Sequence, residues 1–373
     1  MTRRRVLPAL LLALCVGALV TAAAVTAKPA RKAAKFKVAW IYPGPARDGG
    51  WSQSHDDGRL YVQKMLGDKV QTTFKDKVFS NAQVPQIVAG LVRDGYNMIF
   101  GCSFGMFELG VNGQLYKKYP NVLFEQATGL QVEKNESEYF GAAEDTIYLS
   151  GMAAGAATKN GTIGYVAAFG IPEVVRHINA FTLGAEATHP GAKVKVVWTN
   201  AWFSPPKETA AAEALVSAGA DVLGQNVDTP STGQVAEKHG LAWVGYDSDS
   251  HQFAPKAWLT ASVYDWGKYY LRRVKAAMNG TWKSGFYYGS INDGFTKLAP
   301  FGPKVTAQTR AVILAKQKAI QSGKFYEFAG PIYDQSGKLI VPKGKRLGIK
   351  DLYSMQWFVK GVIGSVSKVL PPG

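Results

Sequence analysis

Twice along this chain, short apolar runs alternate with stretches of helical periodicity, and few architectures can absorb such a pattern. The first series opens with Phe36-Lys37-Val38-Ala39-Trp40-Ile41, a strand that stops at Tyr42-Pro43-Gly44-Pro45. Lys77-Val78-Phe79 reads as the next strand and 84–94 as a helix, followed by the strand Tyr96-Asn97-Met98-Ile99-Phe100. A helix over 107–119 and the strand Asn121-Val122-Leu123-Phe124-Glu125 complete the series. The second series has strands at 162–166, 193–198, 221–223 and 242–245, separated by helices over 173–187, 206–218 and 232–239. Strands spaced by helices of roughly ten to fifteen residues imply parallel βαβ units with right-handed crossovers. Two such series, joined near the Ala- and Gly-rich stretch 151–157, predict an α/β protein of two doubly wound parallel-sheet lobes.

The N-terminus adds an address. Arg3-Arg4-Arg5 precedes an apolar run over 6–25 that dissolves into Ala22-Ala23-Ala24-Val25-Thr26-Ala27, which reads as a signal peptide over 1–27. An uncleaved membrane anchor is the alternative, since the run approaches spanning length, but its small-residue end favours cleavage. Cys15 belongs to the apolar region, because Leu14 stands where lipidation would need a small residue. Cleavage leaves about 346 of the 373 residues, with Cys102 as the one cysteine, so no internal disulfide can form. Residues 28–35 form a basic linker with no apolar periodicity, and no second stretch is apolar and long enough to span a bilayer. The mature chain is therefore expected outside the cytoplasm, soluble and monomeric.

In open parallel sheets, ligands sit beyond the carboxyl ends of the strands. Those positions here are 48–51, 103–104, 125–126, 168–170, 200–203, 225–228 and 246–249. They hold several aromatics and carboxylates and hardly a basic residue, on a chain whose net charge is +16. That contrast suits a planar ligand carrying N–H donors, sandwiched by rings and accepted by carboxylates. It does not suit phosphate or sulfate, which would want Arg, Lys or a Gly-rich helix start. Nucleic acid is not expected as a partner either, because the excess Lys and Arg over 28–37, 64–77 and 338–350 is scattered rather than striped.

Two motifs invite other readings. Gly101-Cys102-Ser103-Phe104-Gly105 matches G-x-S-x-G after a strand, where a serine hydrolase would carry its nucleophile. Such an enzyme needs a downstream histidine, yet over a hundred residues follow the last one, His251, and no HGGG-like loop precedes the serine. Asp56-Asp57 points to different faces of a helix start and favours its dipole rather than a metal. Without a P-loop, H-E-x-x-H or paired C-x-x-C, neither a cofactor nor a metal is expected.

The ordered segments Asp48-Gly49-Gly50-Trp51, Tyr165-Val166-Ala167-Ala168-Phe169-Gly170-Ile171-Pro172-Glu173-Val174 and Asn179-Ala180-Phe181-Thr182-Leu183-Gly184 carry a resemblance. So do Trp202-Phe203-Ser204-Pro205-Pro206-Lys207-Glu208, Gly245-Tyr246-Asp247-Ser248-Asp249, Asn279-Gly280-Thr281-Trp282-Lys283 and Phe328-Ala329-Gly330-Pro331-Ile332. Over nearly all of the mature length the chain resembles the basic membrane protein family of ABC-transporter substrate-binding proteins, which includes purine nucleoside receptors. The resemblance implies a type I periplasmic-binding-protein fold, with lobe I at 36–157 and about 249–285, and lobe II at 158–248 and about 286–373. It implies no catalysis. Trp51 would stack on one face of a purine and Trp202, Phe203 or Phe169 on the other, with Asp247 and Asp228 accepting hydrogen bonds. Ser103, Phe104 and Glu125 join the candidate site as strand-end residues. Nucleoside receptors of the family place a lysine where this chain has the stretch around Tyr264, which points to an adenine-like free base over a nucleoside. The partners implied are a permease and an ATPase, or a sensory receptor in their place. Plainer readings stand beside these: Trp51 as core, Asp247 as a helix cap, Glu125 as a capped strand-end acid, His55 as structural.

Overall fold

The computed structural model describes residues 34–108 and 110–371. The expected signal peptide with Cys15, and residues 28–33 of the linker, lie outside the described residues. Strands covered on both faces read as continuous apolar runs rather than alternations. β1 (Phe36–Ile41) is accordingly buried from Val38 to Ile41. It leads to α1 (Trp51–Leu66), β2 (Val70–Lys75), α2 (Val84–Arg93), β3 (Met98–Gly101), α3 (Leu115–Lys118), β4 (Leu123–Ala127) and β5 (Glu136–Gly141). Then come α4 (Ala143–Ala157), β6 (Thr162–Ala167), α5 (Pro172–Thr188), β7 (Lys193–Trp198), α6 (Pro205–Ser217), β8 (Val222–Asn226), α7 (Ser231–Lys238) and β9 (Ala242–Asp247). The chain continues through β10 (Trp258–Tyr264), α8 (Trp266–Met278), β11 (Phe286–Gly289), β12 (Thr296–Leu298) and α9 (Ala307–Gln321). It ends with β13 (Ile332–Tyr333), β14 (Leu339–Val341), α10 (Ile349–Tyr353) and β15 (Val362–Ile363).

The first sheet has the order β11-β5-β4-β3-β1-β2 and is parallel throughout. The second has the order β12-β10-β9-β8-β6-β7-β15, with β12 alone antiparallel. Each lobe is thus wound outward from a central pair, β1 with β3 and β6 with β8. The switch points between those strands are where such sheets open a crevice at their carboxyl ends.

The chain crosses between lobes at 141–143, 264–266 and 289–296. β10, expected in the first lobe, hydrogen-bonds beside β9, and β11, expected in the second, pairs with β5. The winding explains the difference, because β10 prolongs the second sheet before the chain returns and α8 packs on α1. The expected strand at 77–79 falls instead at Val70–Lys75; Lys77 takes φ +58, which no strand admits. The expected helix over 107–119 shrinks to Leu115–Lys118 after a 3₁₀ turn at Gly110–Gln114, where Gly110 and Gly113 interrupt it.

The stretch 151–157, expected as the joint between series, belongs to α4 and packs on α5 with the two backbones nearly touching. A Cβ added at Gly151 would collide with the Phe181 carbonyl, and one at Gly184 with that of Tyr148. The segment after α9 wraps the second lobe, its β15 extending the sheet beside β7. The Asn179 amide pins it, donating to Trp357 O at 2.8 Å and accepting from Val359 N at 2.9 Å.

Candidate functional site

The turn between β1 and α1 begins the site. Asp48 accepts from the backbone N–H groups of Gly50 (2.9 Å), Ser52 (2.9 Å) and Gln53 (3.0 Å), satisfying donors that the start of α1 leaves open. Burial raises the Asp48 pKa, and those N–H groups pull it back. Gly49 takes φ +91, and a Cβ at Gly50 would stand 2.5 Å from Asp228 O across the cleft. Glycine at both positions lets the turn bend and the two lobes touch. Trp51 follows as the first residue of α1. Its Nε1–H donates to Cys102 O at 2.6 Å, and Tyr264 and Trp266 meet its ring edge-on at 5.7 and 5.4 Å.

A narrow slot, about 320 Å³ of free space when its opening to solvent is included, lies against that ring. The first lobe lines it with Trp51, Ser103, Phe104 and Thr128, the second with Glu173, Trp202, Asp228, Tyr246 and Asp247. Trp202 is half-buried, its ring 5.1 Å from that of Phe169. A front chamber of about 850 Å³ adjoins the slot and holds Phe169, Phe203 and Lys207, so Trp202 faces both spaces while Phe203 faces the chamber.

The second lobe supplies an unusual electrostatic feature. Asp228 lies two residues past β8 and Asp247 ends the neighbouring β9, and they are 3% and 1% exposed. Among the described residues, Oδ2 of Asp228 and both carboxylate oxygens of Asp247 have no hydrogen-bond partner. Burial drives both pKa values well above the usual carboxylate range. The charge of Asp48 adds to the rise at Asp228, and that of Asp228 to the rise at Asp247. Burial also pushes Glu173 up to about 7, with Arg176 opposing it. Unpartnered buried carboxylates are costly, and N–H donors brought by a ligand would relieve them.

Backbone strain marks the same place. Only four described non-glycine residues have positive φ, and three of them, Thr128 (+66), Asn200 (+49) and Asp247 (+62), line the slot or the front chamber. Such strain persists where surrounding structure enforces it, often at ligand clamps.

The structure therefore brings Trp51, Ser103, Phe104, Trp202, Asp228 and Asp247 to one slot, with Phe169 and Phe203 beside it. Glu125 lies elsewhere, buried in the first lobe and accepting from Arg273 Nε (2.5 Å), Tyr269 (2.7 Å) and Trp282 Nε1 (2.7 Å). β4 runs two residues past the expected strand end, which makes Thr128 the strand-end residue and leaves Glu125 mid-strand. Sequence reasoning missed Thr128 for that reason. It also missed Glu173, in the first turn of α5 just beyond the β6 loop, while Tyr246 stood among the strand-end positions without being singled out. His55 is fully buried against Tyr270 and stacks on Trp266 at 4.1 Å, its pKa lowered by burial. Asp56 pairs with Arg59 at 2.6 Å while Asp57 points to solvent. Ser103 has no hydrogen bond to a histidine among the described residues, and His251 pairs with Asp249 at 2.8 Å. No cluster of three or more His, Cys, Asp or Glu among the described residues could hold a metal ion, and none of their helices is long and apolar enough to cross a membrane.

The family model of PnrA-like ABC-transporter substrate-binding proteins matches residues 35–325. A purine-binding protein of Brucella abortus is 38% identical over 328 residues, covering 88% of this chain and 93% of the relative. A Haloferax volcanii protein assigned as the glucose-binding component of an ABC transporter is 32% identical, covering 88% and 80%. An ABC-transporter solute-binding protein of Aeropyrum pernix superposes with a TM-score of 0.69 at 14% identity, covering 78% of this chain and 92% of that structure. Members of this family bind solutes outside the cytoplasm for a transporter and are not enzymes. The chain belongs to the Bmp family of ABC-transporter substrate-binding proteins.

Proposed function

We propose that this protein captures a purine-type ring between Trp51 and Trp202 and delivers it to a permease and ATPase for import. The observation that carries the reading is the pair of buried, unpartnered carboxylates, Asp228 and Asp247, lining one slot with Trp51 and Trp202 of opposite lobes. Ring or exocyclic N–H groups would bond to them, and stacking adds about 1–3 kcal/mol per aromatic face. The purine-binding relative supports the class. The signal over 1–27 would export the chain, which acts as a monomer.

The ring is adenine-like, offering N–H donors to carboxylates. Tyr264, standing where nucleoside receptors have lysine and meeting Trp51 edge-on, supports a free base. A nucleoside is the second reading, favoured by a further chamber behind the slot. Thermal shift against purines, nucleosides, pyrimidines and sugars tests the class. A ligand at 100 times its Kd stabilises the fold by about 2.7 kcal/mol, a readily measured rise in Tm. A rise with purines, lost in Trp51→Ala, supports the reading; a rise with glucose alone discards the purine and keeps the transport role.

A further inference from the structure

The family match stops at residue 325, and the chain beyond it finishes against the aromatic residues of the second lobe. After β15, Gly364 turns with φ +132 and a tail over 365–371 runs past the carboxyl ends of β6 and β7. Trp198, the last residue of β7, donates its Nε1–H to Ser365 O at 2.9 Å. Two residues on, the Ser367 backbone lies directly on Gly170 in the loop after β6. A Cβ at Gly170 would collide with the Ser367 carbonyl, and the three atoms nearest to it all belong to Ser367. The Ser367 hydroxyl donates to Asn200 Oδ1 at 3.1 Å and accepts from Val369 N at 3.2 Å. Pro371 then joins Phe169, Asn200 and Trp202 in the wall of the front chamber.

The tail thus grips the backbone beside each member of an aromatic pair. Gly170 directly follows Phe169, Asn200 stands two residues before Trp202, and the two rings are 5.1 Å apart. Asn200 takes φ +49, a conformation that persists where its surroundings enforce it. Trp202 is half-buried, so its place depends on what fixes the loop that carries it. That loop is tied to the segment after β8 by Asp228 N donating to Trp202 O at 3.0 Å, and to the tail through Asn200.

We propose that residues 365–371 are a positioning strap for Trp202 and Phe169, so that the C-terminal tail sets how well the aromatic face of the second lobe meets the ligand. The strap acts through those rings and through the loops at 168–170 and 199–203. The proposal rests on the purine reading only for the ligand that tests it.

Two variants dislodge the strap by different means: Gly170→Ala, which adds a methyl where Ser367 lies, and a chain shortened after Ser365. Each should bind adenine about fivefold or more weakly in calorimetric titration, a part of what one stacking face supplies. Trp202→Ala should weaken binding in the full chain and add little in the shortened one, because residues acting as one unit are not additive. Gly170→Ala should likewise add nothing once the tail is gone. Without ligand, amide hydrogen exchange should rise at 168–170 and 199–203 in both variants, with the rest of the lobe unchanged. Full additivity of Trp202→Ala with loss of the tail, or unchanged exchange in those two loops, overturns the strap. So does a Gly170→Ala effect of equal size with and without the tail. Should the shortened chain not fold, the pairing of Gly170→Ala with Trp202→Ala decides in its place. If the full chain binds no purine, the purine reading fails, while exchange in the two loops still decides the strap.

Discussion

Ser248 of the second lobe donates its hydroxyl to the backbone carbonyl of Gly49 in the first at 2.5 Å, and Ser250 donates to the same oxygen. Gly49 lies two residues before Trp51 and Ser248 one after Asp247, so lobe closure and completion of the slot are geometrically one event. Replacing both serines with alanine should destabilise the closed form by about 1–3 kcal/mol, at a typical net value per hydrogen bond. Stopped-flow measurement should show faster ligand release; an unchanged rate would mean the contact does not hold the lobes shut.

The two tryptophans should separate binding from stability. Trp51→Ala and Trp202→Ala each remove a stacking face worth about 1–3 kcal/mol, so each should weaken purine binding about 5- to 150-fold. Trp51 is also packed against Tyr264, Trp266 and His55, whereas Trp202 is half-buried. Thermal melts without ligand should therefore fall clearly for Trp51→Ala and little for Trp202→Ala. Equal losses of Tm would contradict the different packing of the two rings.

Acidity gives a third test. Burial raises Glu173 from its ordinary 4.5 to about 7 and moves Glu136 and Asp145 to about 7 as well. The folded chain keeps these protons after the unfolded chain has released them, so their contribution is full at low pH and is lost as pH rises through the folded values. The ligand-free Tm should drop between about pH 4.5 and 7. N–H donors favour ionised Asp228 and Asp247, so purine binding should release protons at pH values where burial keeps these carboxyls protonated. Calorimetry in buffers of different ionisation enthalpy reads that release directly, and a buffer-independent enthalpy would refute it.

Glu125→Gln should do the opposite of a site substitution. It breaks a buried pair with Arg273 and disturbs the bonds from Tyr269 and Trp282, costing about 3–5 kcal/mol of stability. Purine affinity should not change, because the residue lies within the first lobe away from the slot. A selective loss of affinity at unchanged Tm would return Glu125 to the site.

The contrast between Glu125 and Thr128 shows where sequence stops. Period and composition revealed the doubly wound lobes, and the strand-end rule pointed to Trp51, Asp228 and Asp247, which the fold brings to one slot. Strand ends, however, shift by a residue or two, and a shift of two in β4 exchanged a structural acid for a slot residue. β5 went unread because Glu136 and Glu138 break its apolar pattern while lying buried. Glu173 looked like an ordinary helix-start acid; only the fold shows that α5 points that first turn at the cleft.

The seam between α4 and α5 restricts how the second lobe can deform. Contact of main chain on main chain, without side chains to yield between them, leaves neither helix room to slide or roll. If the lobes part, the second would therefore move as a solid plate, with bending confined to the three connecting passages at 141–143, 264–266 and 289–296. A transporter docked across both lobes would have a single angle to read, and that angle reports whether the cargo is aboard.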